Sequence, residues 1–506
     1  MRILHQTILL LAIFFTLSCA KEVRMSYTEE SSEAVAALTK ADVPAFVEGE
    51  FDFSVHEKDV REYIERQKDI PRIISIEPQV REGDTLLYIA NMEQGWKIFS
   101  ADKHLPPILA EIPKGSFNQK FLDISGLRLW TKSMMDLTCE IRQERDISSA
   151  TTYTNLWAGH LVLNNKEGVK KGVRGLSTNP TWTRVTINQY TTLDPVLVKE
   201  PLLETNWGQG SPWNESLPLH HLWAYYPTGC VAVAVSQLLY YYHHVINCPS
   251  GLYHGISIAS WNYHPSTYDY SHAYYTTVLS RSNYQNNSIR WGQMVKDEEE
   301  YLTYYPSSIL GASYVSDLMV DVGNRANTKY WEDATGSAST IGDAQMALAS
   351  FDLLSNHDSF SSPAAFANIL NEKPLLMAGV DSTNYEIPEG HAWVVDGAVK
   401  LQQVNHSIYQ WWLGYSVGAA PYGEEMTISE AREAAFQMGY DKPEDGMITH
   451  ETTYSSNYYY TFHMNWGHYG EGNGYFFPTD QVVINEHTYQ YAASQEMLHN
   501  IRAISK

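Results

Sequence analysis

The feature that most constrains the fold is an apolar run that starts directly after a Gly-Cys pair. Residues 226–244 read YPTGCVAVAVSQLLYYYHH. The Pro-Thr-Gly before the run and the apolar residues within it predict a helix from Cys230 to about His243. Its Val, Ala and Leu side chains would bury the helix in a core and hold the cysteine rigidly in the first helical turn.

The composition allows a core of that kind. The chain has 506 residues, of which 44% are hydrophobic and 18% charged, which indicates one to four globular domains rather than disorder. Its formal net charge is -23, and no basic run is long enough to override that acidity. Because phosphate binding needs clustered Lys and Arg, we expect no nucleic acid among its partners.

The N-terminus is typical of an export signal. It reads MRILHQTILLLAIFFTLSCAKE, in which a short basic start precedes an apolar stretch too short to span a bilayer. Cys19 follows a small residue, as in bacterial lipoprotein signals. Residues 1–19 are therefore interpreted as a lipoprotein signal peptide, and lipidated Cys19 would anchor the chain to a membrane.

An ordinary secretory signal cut near Ala20 is the alternative, because Thr16 stands where lipoprotein signals usually carry Leu. With either signal the protein is exported, as a cell-surface or outer-membrane lipoprotein or as a secreted protein. No other segment has about 20 consecutive apolar residues, so no transmembrane span is expected.

A small α+β unit is predicted first along the exported chain. Strand-like runs at Leu86–Ala90 and Trp96–Ser100 flank a turn that contains Gly95, which predicts a β-hairpin. Residues 166–184 mix Gly, Ser, Asn and Pro with basic residues and are typical of a linker. We therefore expect one domain over 20–170 and a second over 171–506.

The second domain is predicted to combine one long helix with a mainly antiparallel sheet. Thr427 and Glu430 form a capping box for a further helix over 427–440, which ends at Gly439. The strand-like runs are Pro374–Gly379, His391–Val399, Ile408–Leu413, Tyr458–Asn465 and Gly474–Phe477. This arrangement indicates the α+β class.

Cys230 has the setting of an activated nucleophile. Thr228 is a good N-cap residue, so Cys230 should lie where unpaired N–H groups and the helix dipole stabilise a thiolate. Gly229 removes a side chain that would block approach to the sulfur. The alternative is that Cys230 is simply a small buried residue of the core.

Three further segments supply groups that a thiolate nucleophile needs. His391 follows Gly390 at the mouth of an apolar strand, where an imidazole can serve as the base. The amide of Asn465 can fix the imidazole tautomer, and Trp466 can shield that bond from water. Gln209, in NWGQGSPWN, offers an N–H that can join the N–H of Cys230 as an oxyanion donor. Taken singly, His391 is equally consistent with a structural histidine, the Asn465-Trp466 segment with a turn, and Gln209 with a solvated loop.

The order Gln, Cys, His, Asn-Trp is that of papain-type peptidases. The segments WGQGSPWN, PTGCVAVAVSQLLYYYHH, GHAWVVDG, FHMNWG and GYFF resemble the streptopain family of cysteine peptidases, and LLYIANMEQGWKIFSADKHLPPILA resembles its propeptide. The resemblance covers roughly residues 80–480. It implies a papain-like fold, in which a helix that carries the cysteine packs on an antiparallel sheet, after a small α+β propeptide domain.

The resemblance also implies a secreted zymogen that acts on proteins or peptides, is inhibited by its own propeptide and removes that propeptide autocatalytically. Carried over to matching positions, Cys230 is the nucleophile, His391 the base and Gln209 an oxyanion donor, while Asn465 and Trp466 support the histidine. No cofactor is implied.

The sequence departs from the family pattern at three places. Family members commonly read NWGWGG where this chain reads NWGHYG, so His468 replaces a tryptophan and the orienting role falls to Asn465 or Trp466. Ala110 replaces a glycine in the propeptide. Residues 408–460 are long for the family and are interpreted as an insertion beside the cleft.

Two other functions remain open at this stage: a catalytically inactive binding lipoprotein on the same fold, and a papain-like transferase or amidase. A metal enzyme is not expected, because the sequence has no HExxH motif and the adjacent pairs at 220–221 and 243–244 would point their rings apart. Cys139 and Cys248 are interpreted as structural or as a bridged pair.

Overall fold

The computed structural model describes residues 53–66, 70–143, 153–154, 156–157, 161–162, 182–217, 225–246, 261–265, 273–277, 289–331, 337–381, 389–413, 423–484, 487–488 and 493–504. The predicted signal at 1–19 with Cys19, most of the predicted linker at 166–184, and Cys248 lie outside these residues. Cys139 is a partly exposed free thiol.

The helices with described bounds are α1 (Glu57–Arg66), α2 (Ser125–Gln143), α3 (Cys230–Ile246), α4 (Glu298–Thr303), α5 (Ile309–Arg325), α6 (Ile341–Ser350), α7 (Ser362–Leu370) and α8 (Ile428–Gln437). Short 3₁₀ turns are described at Gln119–Asp123, Trp291–Gln293 and Thr479–Gln481. The long apolar helix predicted from the sequence is α3, and it ends three residues later than predicted.

The described strands are β1 (Ile73–Arg81), β2 (Asp84–Met92), β3 (Trp96–Ser100), β4 (Ile108–Ile112), β5 (Leu161–Val162), β6 (Trp182–Lys199), β7 (Trp261–Pro265), β8 (Ala273–Thr277), β9 (Lys329–Trp331), β10 (Ser337–Ala338), β11 (Leu353–Ser359), β12 (Leu375–Asp381), β13 (Glu389–Leu413), β14 (Gly423–Met426), β15 (Ile448–Asn465), β16 (Gly474–Phe476), β17 (Val483–Ile484), β18 (His487–Thr488) and β19 (Ala493–Ala503). The predicted hairpin is β2–β3, and the runs that begin at His391 and Ile408 form one strand, β13.

A 13-stranded antiparallel sheet organises the protein. Its main order is β1-β2-β3-β4-β16-β15-β13-β12-β19-β11, while β6 pairs with the later part of β13 and carries β5 and β14. Strand β4 joins the N-terminal meander to the C-terminal sheet through the pairs Ala110–Phe476 and Glu111–Tyr475. Ala110, the residue that replaces the family's glycine, is buried in this ladder. The α+β class with a mainly antiparallel sheet is confirmed.

Helices cover both faces of this sheet because β13 is apolar on both sides. Ala392 and Val394 lie in the core that surrounds α3, together with apolar residues of α5 and α6. Trp393 and Val395 lie in the opposite core, which contains α2. Side chains alternate across a strand, so β13 separates α3 from α2.

Helix α2 has the spacing of a helix buried along one face. Its residues Leu127, Trp130, Met134, Leu137 and Ile141 recur at intervals of three and four residues, and all are buried. They share one core with apolar residues of β2 and β3 on one side and of β13, β15 and β16 on the other. Helix α2 therefore packs against the N-terminal and C-terminal parts of the sheet together.

The predicted insertion forms a small lobe at the far end of β13. Trp182, Trp411 and Ala431 make its core, and the capping box of Thr427 with Glu430 begins α8 as predicted. Twenty residues of β13 separate Trp411 from His391, roughly 65 Å along an extended strand. The structure thus places the lobe away from His391 rather than beside it.

Within the part of the chain that the structure describes, no helix has the length and apolarity needed to cross a bilayer.

Candidate active site

The turn before α3 brings Cys230 to the helix tip. Gly229 occupies the cap position with φ of +95°, and its carbonyl accepts a hydrogen bond from the N–H of Val233 at 3.1 Å. A Cβ at this glycine would lie 2.6 Å from the Ser337 hydroxyl oxygen. Thr228 is therefore not the N-cap that the sequence predicted, because the chain needs a left-handed residue in a confined space one position later.

Cys230 and His391 are hydrogen-bonded to each other across the junction of α3 and β13. Burial by itself would raise the pKa of the Cys230 thiol. The hydrogen bond and charge of His391, and the N–H groups of Ala392 and Val231, act in the opposite direction and lower this pKa overall. Cys230 as a whole residue is partly exposed.

The second nitrogen of His391 is held by a main-chain carbonyl. His391 Nε2 donates to the Trp466 oxygen at 2.9 Å, which leaves Nδ1 to face the sulfur. Burial alone would lower the pKa of His391, but the hydrogen bond and charge of Cys230 and the bond to Trp466 raise it overall. The two shifts have opposite signs and favour a thiolate paired with an imidazolium.

The Trp466 carbonyl is fixed in position by its own surroundings. The Trp466 N–H donates to Asn473 Oδ1 and its indole N–H donates to the Gly472 carbonyl, each at 3.0 Å. The indole is fully buried and packs 5.2 Å from the ring of Trp393, which also lies parallel to the His391 imidazole. Trp466 thus positions His391 through its backbone carbonyl, while its ring packs against Trp393.

Asn465 does not bond to the imidazole. Its amide N–H₂ donates to the Thr205 carbonyl at 2.9 Å, and its oxygen accepts from the Gly467 N–H at 3.2 Å and from Gln237 at 3.3 Å. The structure therefore does not show the expected contact between the Asn465 amide and His391. Asn465 instead fixes the backbone on either side of Trp466.

Gln237 is a residue that the sequence analysis missed. It is fully buried on α3, two helical turns after Cys230, and bonds to Asn465. Its oxygen also accepts from the Thr205 hydroxyl at 3.1 Å and from the Trp207 N–H at 3.4 Å. One amide thus connects the helix of Cys230, the strand end that holds His391 and the loop of Gln209. The available signal was a glutamine inside an otherwise apolar run.

Gln209 lies in a loop that is attached to the turn before α3. Its carbonyl accepts from the Thr228 N–H at 3.0 Å, and the next N–H, that of Gly210, donates to the Tyr469 hydroxyl at 3.0 Å. A Cβ at Gly208 would lie 2.6 Å from the Tyr469 ring, so the loop packs directly under this side chain. These bonds place Gln209 next to the segment that carries Cys230.

His468, the residue in place of the family's tryptophan, lies close to His391 without bonding to it. Its ring is 3.4 Å from Glu471, and its side chain is 41% exposed. Burial and the charge of His391 lower the pKa of His468, while Glu471 raises it, with a net decrease. The contact that holds the His391 ring is therefore the hydrogen bond to the Trp466 carbonyl, not a contact with His468.

Comparison with known proteins identifies the family. Residues 207–476, more than half of the chain, match the sequence model described as the Peptidase C10 family. The chain belongs to the Peptidase C10 family. This confirms the resemblance to the streptopain family, and the protein is a cysteine peptidase. The matched Peptidase C10 region includes Cys230, His391 and the Trp466 segment.

Two solved structures from Prevotella intermedia show similarity to this Peptidase C10 member. A prointerpain A fragment has 16% sequence identity and a TM-score of 0.45, covering 84% of this chain and 98% of that one. Active interpain A has 19% identity and a TM-score of 0.35, covering 60% and 95% respectively. No protein with a curated description matches the sequence significantly.

Replacing Gln237 tests its positioning role. In Gln237→Leu the partners Asn465, Thr205 and Trp207 lose a buried hydrogen bond, so we expect unfolding to become about 1–3 kcal/mol easier. We also expect kcat/KM for a peptide substrate to fall about tenfold or more, because His391 and Cys230 lose their common support.

The matched control is Gln345→Leu on α6, where one bond to the Ser355 carbonyl is lost. Its kcat/KM should equal that of the wild type. If both leucine variants retain full kcat/KM, Gln237 has only a structural role.

Proposed function

We propose that the protein hydrolyses peptide bonds within proteins through the Cys230–His391 pair. The observation that carries the proposal is the hydrogen-bonded pair itself, with the imidazole fixed by the Trp466 carbonyl. A thiolate at a helix tip is nucleophilic, and a neighbouring imidazolium can donate the proton that an amine leaving group requires.

Two half-reactions follow from this pairing. In the first, the Cys230 sulfur bonds to the substrate carbonyl carbon, the C–N bond breaks, and His391 gives its proton to the departing amine. In the second, His391 takes a proton from water, whose oxygen attacks the thioester, and the Cys230 thiolate leaves. The Cys230 N–H and the Gln209 amide are the proposed donors to the oxyanion in both steps.

We propose further that the N-terminal part of the chain is an inhibitory propeptide. The first turn of α2 packs against the reacting pair: a Cβ on Gly126 would lie 2.6 Å from His391 Cδ2 and 2.4 Å from the Trp466 ring. The charge of Arg128, two residues further, opposes a positive charge on His391. A substrate chain would have to occupy the space that this turn fills.

Strand pairing supports the same role for the propeptide. Strand β4 adds to the edge of β16, and the Trp130 indole N–H donates to the Phe477 carbonyl at 3.1 Å. Removal of the propeptide therefore requires a cut between the two parts, and the linker at 166–184 is the proposed place. Export, with lipid attachment at Cys19, completes the proposal and rests on the N-terminal sequence.

The variant Cys230→Ala tests the proposed nucleophile. We expect it to lose peptide hydrolysis and self-shortening completely while its far-UV circular dichroism spectrum stays unchanged, because a small residue replaces a small residue. A chromogenic peptide assay and mass spectrometry of the intact chain under reducing conditions measure the two activities. Cleavage that persists in this variant would refute the assignment.

The variant Gly126→Ala tests the inhibitory contact. The added methyl group cannot fit against His391 and Trp466, so the first turn of α2 must move away from the site. We expect self-processing of the purified zymogen to accelerate several-fold. Glu140→Ala, on the exposed part of α2, is the control and should process at the wild-type rate. Equal rates in all three proteins would show that the turn does not inhibit.

A further inference from the structure

A pair of histidines lies on the outer part of the sheet, far along β13 from the reacting pair. His406 is on β13 and His450 on the neighbouring β15, and their ring nitrogens Nδ1 and Nε2 are 3.1 Å apart. His450 is exposed and His406 is half-buried, so solvent ions reach the gap between them. Neither residue takes part in the proposed peptidase chemistry.

The geometry matches that of two ligands on one metal ion. Two nitrogens each about 2.0–2.1 Å from a tetrahedral zinc ion lie about 3.4 Å from each other, close to the separation in this pair. This contact is a hydrogen bond between the rings, whose centroids are 5.2 Å apart with an interplanar angle of 32°, so both nitrogens face one gap. Small rotations of the exposed His450 ring would suffice to admit an ion.

Neighbouring residues hold His406 in the orientation that a metal ligand needs. The Thr192 hydroxyl lies 3.0 Å from His406 Nε2, so an N–H at that atom can donate to it and leave Nδ1 without a proton. Tyr190 stacks on the His406 ring at 4.4 Å and fixes its plane. A hydrogen bond to the remote nitrogen of a metal-binding histidine is the usual way in which its tautomer is set.

The chemistry of the two side chains also favours a late first-row cation, because imidazole nitrogens suit such metals. Neutral imidazole is the form that binds zinc, copper and nickel.

We propose that His406 and His450 form a binding site for a late first-row divalent cation such as Zn²⁺. Among the described residues, no group of three or more His, Cys, Asp and Glu is arranged to hold one ion, so water completes the coordination. The ion would link β13 to β15 and, through Thr192, to β6. The site is structural and independent of the peptidase reaction.

Zinc titration of the full chain tests the proposal. The Cys230→Ala background removes the reactive thiol as a competing ligand and prevents self-processing. Isothermal titration at pH 7.5 should show saturable binding, and the melting temperature should rise with zinc concentration. His406→Ala and His450→Ala should each weaken binding about tenfold or more, as loss of a metal-supporting group does.

His357→Ala is the matched control, because His357 is an imidazole on β11 that pairs with Glu496 away from the site. Its zinc affinity should equal that of the parent. Copper provides a second measurement, since its electron paramagnetic resonance spectrum should show two coupled nitrogens in the parent and fewer in either variant.

Absence of saturable zinc binding, or equal affinity in the parent, His406→Ala and His450→Ala, would overturn the proposal. His450 is exposed, so its alanine variant decides the outcome even if the half-buried His406 proves necessary for folding.

Discussion

The candidate active site depends on one interaction, the hydrogen-bonded pair of Cys230 and His391. Each group alone would be neutralised by its surroundings, because burial raises the pKa of the thiol and lowers that of the imidazole. Their mutual contact, together with the N–H groups of Ala392 and Val231 and the Trp466 carbonyl, reverses both shifts. The pair can therefore form only if the start of α3 and the start of β13, which are far apart in sequence, meet in the fold. Packing of apolar side chains on both faces of the sheet brings them together.

Buried polar groups set this register. Gln237 and Asn465 bond to each other and to the loop at Thr205, so the three elements that supply the site are joined by amides rather than by apolar contact alone. Apolar packing tolerates small shifts, whereas a buried amide that loses its partners is costly. The core on the opposite face of β13 receives α2, whose first turn also lies against His391.

Local signals in the sequence predicted much of this structure. The run after Cys230 predicted α3, Thr427 and Glu430 predicted the start of α8, and short strand-like runs predicted the strands, since each depends on neighbours in the chain. The partner of His391 could not be predicted, because a backbone carbonyl has no sequence signature. Gln237 was missed for a similar reason: its importance depends on three distant partners. The position of the insertion could not be predicted, because the sequence did not show that β13 continues as one strand as far as Leu413.

The thiolate absorbance of Cys230 in the ultraviolet tests the central pairing most directly. The difference between wild type and Cys230→Ser, followed over pH, should show thiolate forming at lower pH than in a free cysteine, which titrates at about 8.5. In His391→Ala the same signal should appear only at higher pH, because the hydrogen bond and charge of His391 that lower the pKa of Cys230 are then lost. Identical titration curves with and without His391 would contradict the account.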